Sequence, residues 1–256
     1  MRIAVLVPED RVISRLAMFA KKEFVAAGHQ IVLVSHPPES LSGVFFSRLR
    51  RVGFFTVIDE MAYCLYETLF TPWLPELVGL DDGIYAEFDA RIQDTQSEDL
   101  AFCLKERCVD ILVAIGCRPI NVRLIPSAIL ALNIHPGVLP YYRGVGSPEA
   151  VLRCDTAHVG FTVHRLTEQL DSGEIFLRKI GKSHSDFNAP KIYMINYQFA
   201  IKTLARHIGQ SFSKSWPVDD DFSGTLTSRG GSLWRLTLSK FLGWKLSSIC
   251  HRILGS

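Results

Sequence analysis

The opening of the chain constrains the fold most. Arg2-Ile3-Ala4-Val5-Leu6-Val7 is an apolar run suited to a strand buried on both faces. From Ser14 to Ala27, the residues Leu16, Phe19, Ala20, Phe24 and Ala27 recur at helical spacing, and Gly28 ends the segment. Gln30-Ile31-Val32-Leu33-Val34 is a second strand. A strand, a helix and a strand in such quick succession form the βαβ opening of a doubly wound sheet. The first loop, Pro8-Glu9-Asp10-Arg11, contains no glycine, so neither a dinucleotide fingerprint nor a P-loop stands there.

The same architecture continues down the chain. Val57 to Leu69 is read as a helix broken by Thr71-Pro72-Trp73-Leu74-Pro75. Thr95-x-x-Glu98 is a capping box for a helix from about Gln96 to Arg107. It leads into the apolar strand 109–116, ending at Gly116. A helical turn near Pro126 to Leu130 precedes a strand over 131–135, which places Gly116 and His135 at one edge of the sheet. Ligands of open α/β sheets bind at that carboxyl edge. A short helix over Ser147–Arg153, strands over His158–His164 and Glu174–Ile180, and a helix starting at Asn188-Ala189-Pro190 complete the reading. The apolar stripe of that last helix is Ile192, Ile195, Phe199 and Leu204. The expected fold is α/β, a Rossmann-like doubly wound, mostly parallel sheet. A catalytic domain of residues 1–183 carries a helical C-terminal extension, 184–256.

Bulk properties remove several classes of function. A net charge of +2 over 256 residues gives no footprint for a nucleic-acid partner. Six scattered cysteines, without metal-ligand spacing, read as buried thiols in a reducing, cytoplasmic protein. No apolar run approaches the roughly 20 residues needed to span a membrane. After Asp221 the chain has no acids, and Trp234, Leu238, Leu242, Leu246, Ile249 and Ile253 make a helical stripe. Arg235 and Lys245 fall within the apolar arc, so packing on the domain or on a second copy in a homodimer is favoured over peripheral membrane contact.

The chemistry concentrates in Leu132-Asn133-Ile134-His135-Pro136-Gly137-Val138-Leu139-Pro140-Tyr141-Tyr142-Arg143-Gly144. The strand period of two puts Asn133 and His135 on one side of the sheet. An amide donor beside a titratable ring can serve acyl chemistry, one for an oxyanion and one for a proton. This stretch is followed by Gly160-Phe161-Thr162-Val163-His164 and by Leu170-Asp171-Ser172-Gly173-Glu174-Ile175. The three motifs, in this order and spacing, resemble the catalytic core of the formyltransferases that use 10-formyltetrahydrofolate. Members of that family act on glycinamide ribonucleotide, methionyl-tRNA and amino sugars.

The resemblance implies a catalytic trio of Asn133, His135 and Asp171. It has Asn133 and a protonated His135 stabilising the oxyanion formed when an amine attacks the formyl carbon, with Asp171 orienting His135. It implies a folate pocket lined by Gly116, Cys117, Arg118, Ile120 and Asn121, by Val138, Leu139 and Pro140, and by Thr167, Glu168, Gln169 and Leu170. His164 matches a histidine of some members and is read equally as core or as packing behind the site. The acidic first loop disfavours a substrate phosphate there, and the tail lacks the basic surface tRNA requires. The expected acceptor is therefore a small-molecule primary amine, with nucleotide-linked amino sugars leading. A formyltetrahydrofolate hydrolase and a non-catalytic folate-binding protein are the alternatives. The hydrolases carry an N-terminal regulatory domain, whereas this chain opens on its first strand.

Overall fold

The computed structural model describes residues 1–10, 13–38, 87–144, 150, 155–180 and 189–208. Strand β1 (Arg2–Pro8), helix α1 (Ile13–Ala26) and strand β2 (Gln30–His36) form the opening βαβ unit. They are followed by β3 (Ala90–Arg91), α2 (Glu98–Glu106), β4 (Ile111–Ile115) and β5 (Leu130–His135). Strands β6 (Gly160–Arg165) and β7 (Ile175–Ile180) and helix α3 (Ala189–Ile208) close the described chain. The seven strands lie in one sheet in the order β3-β2-β1-β4-β5-β6-β7. Pairings from β3 to β5 are parallel, and β5–β6 and β6–β7 are antiparallel. The sheet is thus the mostly parallel, doubly wound one that the sequence predicts.

Alternation along the strands builds two cores. Ile3, Val5 and Val7 of β1, Ile111, Val113 and Ile115 of β4, and Leu132 and Ile134 of β5 face α1 and α3. Leu16, Ala20 and Phe24 of α1 meet them, as do Met194, Tyr197, Ile201 and Leu204 of α3. Ala4, Leu6, Val32, Val34, Leu112, Ala114 and Ala131 point to the opposite face, where Leu100 and Leu104 of α2 cover them. Asn133 and His135 alternate with Leu132 and Ile134, so they share the α2 side of the sheet with Ala131.

Several local expectations are corrected. Helix α2 is capped by Ser97, whose hydroxyl accepts the Asp99 N–H at 3.3 Å, and not by Thr95. The Thr95 hydroxyl instead donates to the Pro119 carbonyl at 3.0 Å, holding the loop after β4. The turn near Pro126 is present, closed by a bond from Ile129 N to Pro126 O (2.9 Å), and a further 3₁₀ turn precedes it at Val122–Leu124. His158 belongs to a short turn, Thr156–His158, and β6 starts at Gly160. On α3, Ile192 and Leu204 are buried but Phe199 is exposed. The face used runs through Met194, Tyr197, Ile201 and Leu204 instead, and Phe199 lays its ring against the edge of Phe161 at 5.5 Å. The expected helix over 57–69 and the stripe beyond residue 211 lie outside the described residues, as does nearly all of the expected helix over 147–153.

Gly160 marks a close approach between β6 and β7. A Cβ there would lie 2.1 Å from the Lys179 carbonyl oxygen and 2.9 Å from Val138 Cγ2. Gly160→Ala is expected to lower stability to urea by about 2 kcal/mol or more. Phe102→Ser on the exposed side of α2 should change it by no more than about 0.5 kcal/mol.

Candidate active site

Sheet register assembles the site. Across the antiparallel β5–β6 pair, Asn133 lies opposite His164 and His135 lies opposite Thr162. Phe161 and Val163 face the α1/α3 core, so Thr162 and His164 project to the same side as Asn133 and His135. The 136–144 turn is pinned over this face. The Thr162 hydroxyl donates to the Gly137 carbonyl (2.7 Å) and accepts the Leu139 N–H (3.0 Å). Arg178 of β7 donates through Nη1 to the Leu139 carbonyl at 2.9 Å. At the far end of the turn, Tyr142 and Gly144 have left-handed backbone, φ 50° and 89°. The Tyr142 hydroxyl donates to Asp155 Oδ2 at 2.6 Å, where His158 Nδ1 also binds at 2.7 Å.

Asp171 is the centre of the constellation. It sits in the β6–β7 loop with φ 48° and is nearly buried. Its Oδ2 accepts the Gly144 N–H at 2.8 Å and lies 3.6 Å from His135 Nδ1, while Oδ1 lies 3.4 Å from His164 Nε2. Burial raises the carboxyl's pKa. Hydrogen bonding with His164, the nearby His135 and the Gly144 N–H together outweigh burial and hold it down at about 2. Asp171 is therefore an anion at neutral pH.

His135 is placed between two acceptors. Its Nε2 lies 3.2 Å from the Tyr142 carbonyl, and its Nδ1 faces Asp171. Such a setting favours the imidazolium, but the ring is only 3% exposed. Burial dominates over the attraction of Asp171 and lowers its pKa to about 4. The resting ring is therefore neutral, because desolvation wins over the carboxylate. Asn133 is half-buried, with its Nδ2 3.1 Å from His164 Nε2.

The residues expected around a folate distribute unevenly. Gly116 is exposed with φ 63°, and Cys117, Arg118 and Asn121 are half-buried along the loop that follows β4. The Cys117 thiol is pushed up to about 12 by burial and points at the Leu6 carbonyl, so it is an inert structural group. Ile120 packs in the α2-side core. Val138 and Leu139 are buried, and both backbone polar groups of Leu139 are engaged by Thr162 and Arg178, so of that trio Pro140 presents the more open side chain. Thr167 is half-buried, whereas Glu168, Gln169 and Leu170 are exposed on the facing loop. The two loops are tied together by Arg123, which donates bidentately to Glu168 at 2.5 and 2.6 Å. Tyr142, Gly144, Thr162 and Arg178 support the site, and the sequence reading assigns none of them a role. The first three lie inside the motifs quoted there, while Arg178 carries no sequence signal.

The fold and this constellation define a Rossmann-like α/β protein with an Asn, two His and an Asp gathered at the carboxyl edge of its sheet. The formyl transferase family profile matches residues 1–182, and the chain belongs to that family. The chain is 39% identical over 62 residues to GDP-perosamine N-formyltransferase of Brucella melitensis (22% of this chain, 24% of that one). It is 30% identical over 70 residues to dTDP-4-amino-4,6-dideoxyglucose formyltransferase of Mycobacterium tuberculosis (27% and 30%). The matched stretch thus spans about a quarter to a third of these relatives' length. The crystal structure of phosphoribosylglycinamide formyltransferase from Anaplasma phagocytophilum shares the fold, with a TM-score of 0.53 at 16% identity over 90% of this chain and 95% of that one.

The pKa shifts set a pH dependence. His135 resists protonation in the folded state, while the unfolded chain binds that proton below about pH 6.5, so folding loses stability as pH falls from there toward about 4. Asp171 adds a further loss as pH falls from its ordinary 3.8 toward about 2. The His135 share is on the order of 3 kcal/mol. Thermal unfolding from about pH 7 to about pH 4 should show a steeper fall in Tm for the wild type than for His135→Asn.

Proposed function

We propose that this protein transfers a formyl group from 10-formyltetrahydrofolate to a primary amine of a small molecule, with Asn133, His135 and Asp171 as its catalytic residues. The observation that carries the reading is the anionic Asp171 held against His135, with Asn133 alongside on the same face of the sheet. The bound folate supplies an activated formyl carbon that an amine can attack. Asn133 presents an amide N–H where negative charge develops on the formyl oxygen. His135 rests neutral and can take the proton released by the attacking amine. Once charged, it lies between the Tyr142 carbonyl and Asp171, which stabilise the imidazolium until the proton passes to the leaving nitrogen.

The rim supports a planar heteroaromatic donor. The turn Val122–Leu124 that follows Gly116–Asn121 is bridged to the Thr167–Leu170 loop by Arg123 and Glu168. These loops would hold the folate largely through backbone groups. Residues 1–183 would form the catalytic unit, with α3 packed on its sheet.

The first loop bears on the acceptor. Asp10 Oδ1 accepts the Ile13 N–H at the start of α1 at 3.1 Å, so the chain's own carboxylate stands where a ligand phosphate would seek the helix N-terminus. Glu9 accepts from the Ser35 hydroxyl at 2.8 Å and pairs with Arg91 at 3.1 Å. An acceptor phosphate is disfavoured there. The amino-sugar substrates in the names of two matched relatives support a nucleotide-linked amino sugar, with its nucleotide held elsewhere. The setting would be cytoplasmic; among the described residues no helix is long and apolar enough to cross a membrane.

The test is purified protein with 10-formyltetrahydrofolate, alone and with a panel of nucleotide-linked amino sugars and simple amines. Amine-dependent release of tetrahydrofolate with a formamide product is expected, and Asn133→Ala should reduce kcat by about 100-fold or more. Formate release without any amine would overturn the transferase reading in favour of a hydrolase. Tight folate binding without turnover would overturn it in favour of a binding protein.

A further inference from the structure

We infer that Asp155 is a positioning residue, acting on His135 and Asp171 through the backbone of the 142–144 turn. It stands outside the buried constellation, with its side chain 29% exposed. Its Oδ2 accepts the Tyr142 hydroxyl at 2.6 Å and meets His158 Nδ1 at 2.7 Å. Partial burial raises the carboxyl's pKa, but the Tyr142 hydroxyl and His158 together outweigh it and hold it below its ordinary value. Asp155 is therefore an anion at neutral pH, and hydrogen bonds to an ionised acceptor are the strong ones. The Tyr141 ring lies against that of His158, 3.9 Å between centroids, and backs the anchor from its other side.

The backbone held by this anchor is strained. Tyr142 has φ 50°, which is disfavoured for a bulky residue and persists only where the surroundings enforce it. Its ring packs against Ala150, Val159 and Ile192, and its hydroxyl is fastened by Asp155. In this conformation the turn serves both members of the buried pair. The Tyr142 carbonyl lies 3.2 Å from His135 Nε2, and two residues on the Gly144 N–H donates to Asp171 Oδ2 at 2.8 Å. Freed from Asp155, Tyr142 can relax toward negative φ, which swings its carbonyl away and re-aims the peptide leading to Gly144. His135 would then lose an acceptor for its charged form, and Asp171 would lose a donor. The near end of the turn is pinned separately at Leu139 by Thr162 and Arg178, so it should not follow. The catalytic consequence rests on the formyl-transfer reading, whereas the positioning can be measured without turnover.

Amide hydrogen exchange on the full ligand-free chain at neutral pH tests the inference. In Asp155→Ala the Gly144 amide should exchange at least about 10-fold faster than in the wild type, with the Leu139 amide within about twofold. Tyr142→Phe keeps the ring and removes only the hydroxyl, so it should show the same pattern and serves if Asp155→Ala does not fold. Asp155→Asn, whose amide oxygen can accept the hydroxyl, should keep most of the protection, and the double variant Tyr142→Phe/Asp155→Ala should be no worse than either single one. Unchanged Gly144 protection, an equal loss at Gly144 and Leu139, or an Asp155→Asn as impaired as Asp155→Ala would overturn the proposal. In turnover, Asp155→Ala and Tyr142→Phe should lower kcat by about 10-fold or more, leaving KM for 10-formyltetrahydrofolate within about twofold. Full kcat in both, with an active wild type, would also overturn it. The expected exchange pattern in a wild type without turnover on any amine would count against the formyl-transfer reading and leave the positioning role standing.

Discussion

The site depends on one reversal of strand direction. From β3 through β5 every pairing is parallel, and at β5–β6 the sheet turns antiparallel. An antiparallel pair sets residues directly opposite one another, close enough for side chains to meet. That pairing puts Asn133 against His164 and His135 against Thr162, two contacts from one register. A slip of one residue would turn Thr162 and His164 to the other face and bring Val163 up beside His135. The apolar residues that alternate with them, Leu132, Ile134, Phe161 and Val163, guard against that slip because all are buried in the α1/α3 core. The hydrophobic core therefore sets the geometry of the polar site on the reverse side of the same strands.

Burial and charge are opposed within the site, and each group settles differently. Asp171 has an N–H from Gly144 and two imidazoles about it, enough to keep its charge in a nearly dry position. His135 has a carbonyl and a carboxylate to receive its protons, yet desolvation keeps it neutral at rest. The result is a carboxylate and a neutral imidazole side by side, an arrangement that can accept a proton without first losing one. The turn carrying Tyr142 and Gly144 completes it. Thr162 and Arg178 hold the near end of that turn, and Asp155 holds Tyr142 at the far end.

Much of this was legible in the sequence, for identifiable reasons. Residues 3–7 and 111–115 are uninterrupted apolar runs, which betray burial on both faces. Asn133, His135 and Asp171 stand in motifs whose order and spacing are distinctive. What escaped was long-range or energetic. Ser97 displaced Thr95 as a helix cap because Thr95 is drawn to the Pro119 carbonyl, a partner that no local window contains. Phe199 fits the helical period but faces outward, because α3 turns Tyr197 and Ile201 toward the sheet. The protonation state of His135 follows from its burial, which spacing does not report. Arg178 supports the turn from two strands away and leaves no local trace.

The Arg123–Glu168 pair divides the molecule by its response to solvent. Both side chains are largely exposed, 74% and 58%, so the pair adds little to overall stability and weakens as ions accumulate around it. It bridges the segment after β4 and the loop that carries Asp171. Beneath it, the charge on Asp171 is shielded from the surrounding electrolyte by burial. Ionic strength therefore acts on this exposed pair and spares the buried carboxylate.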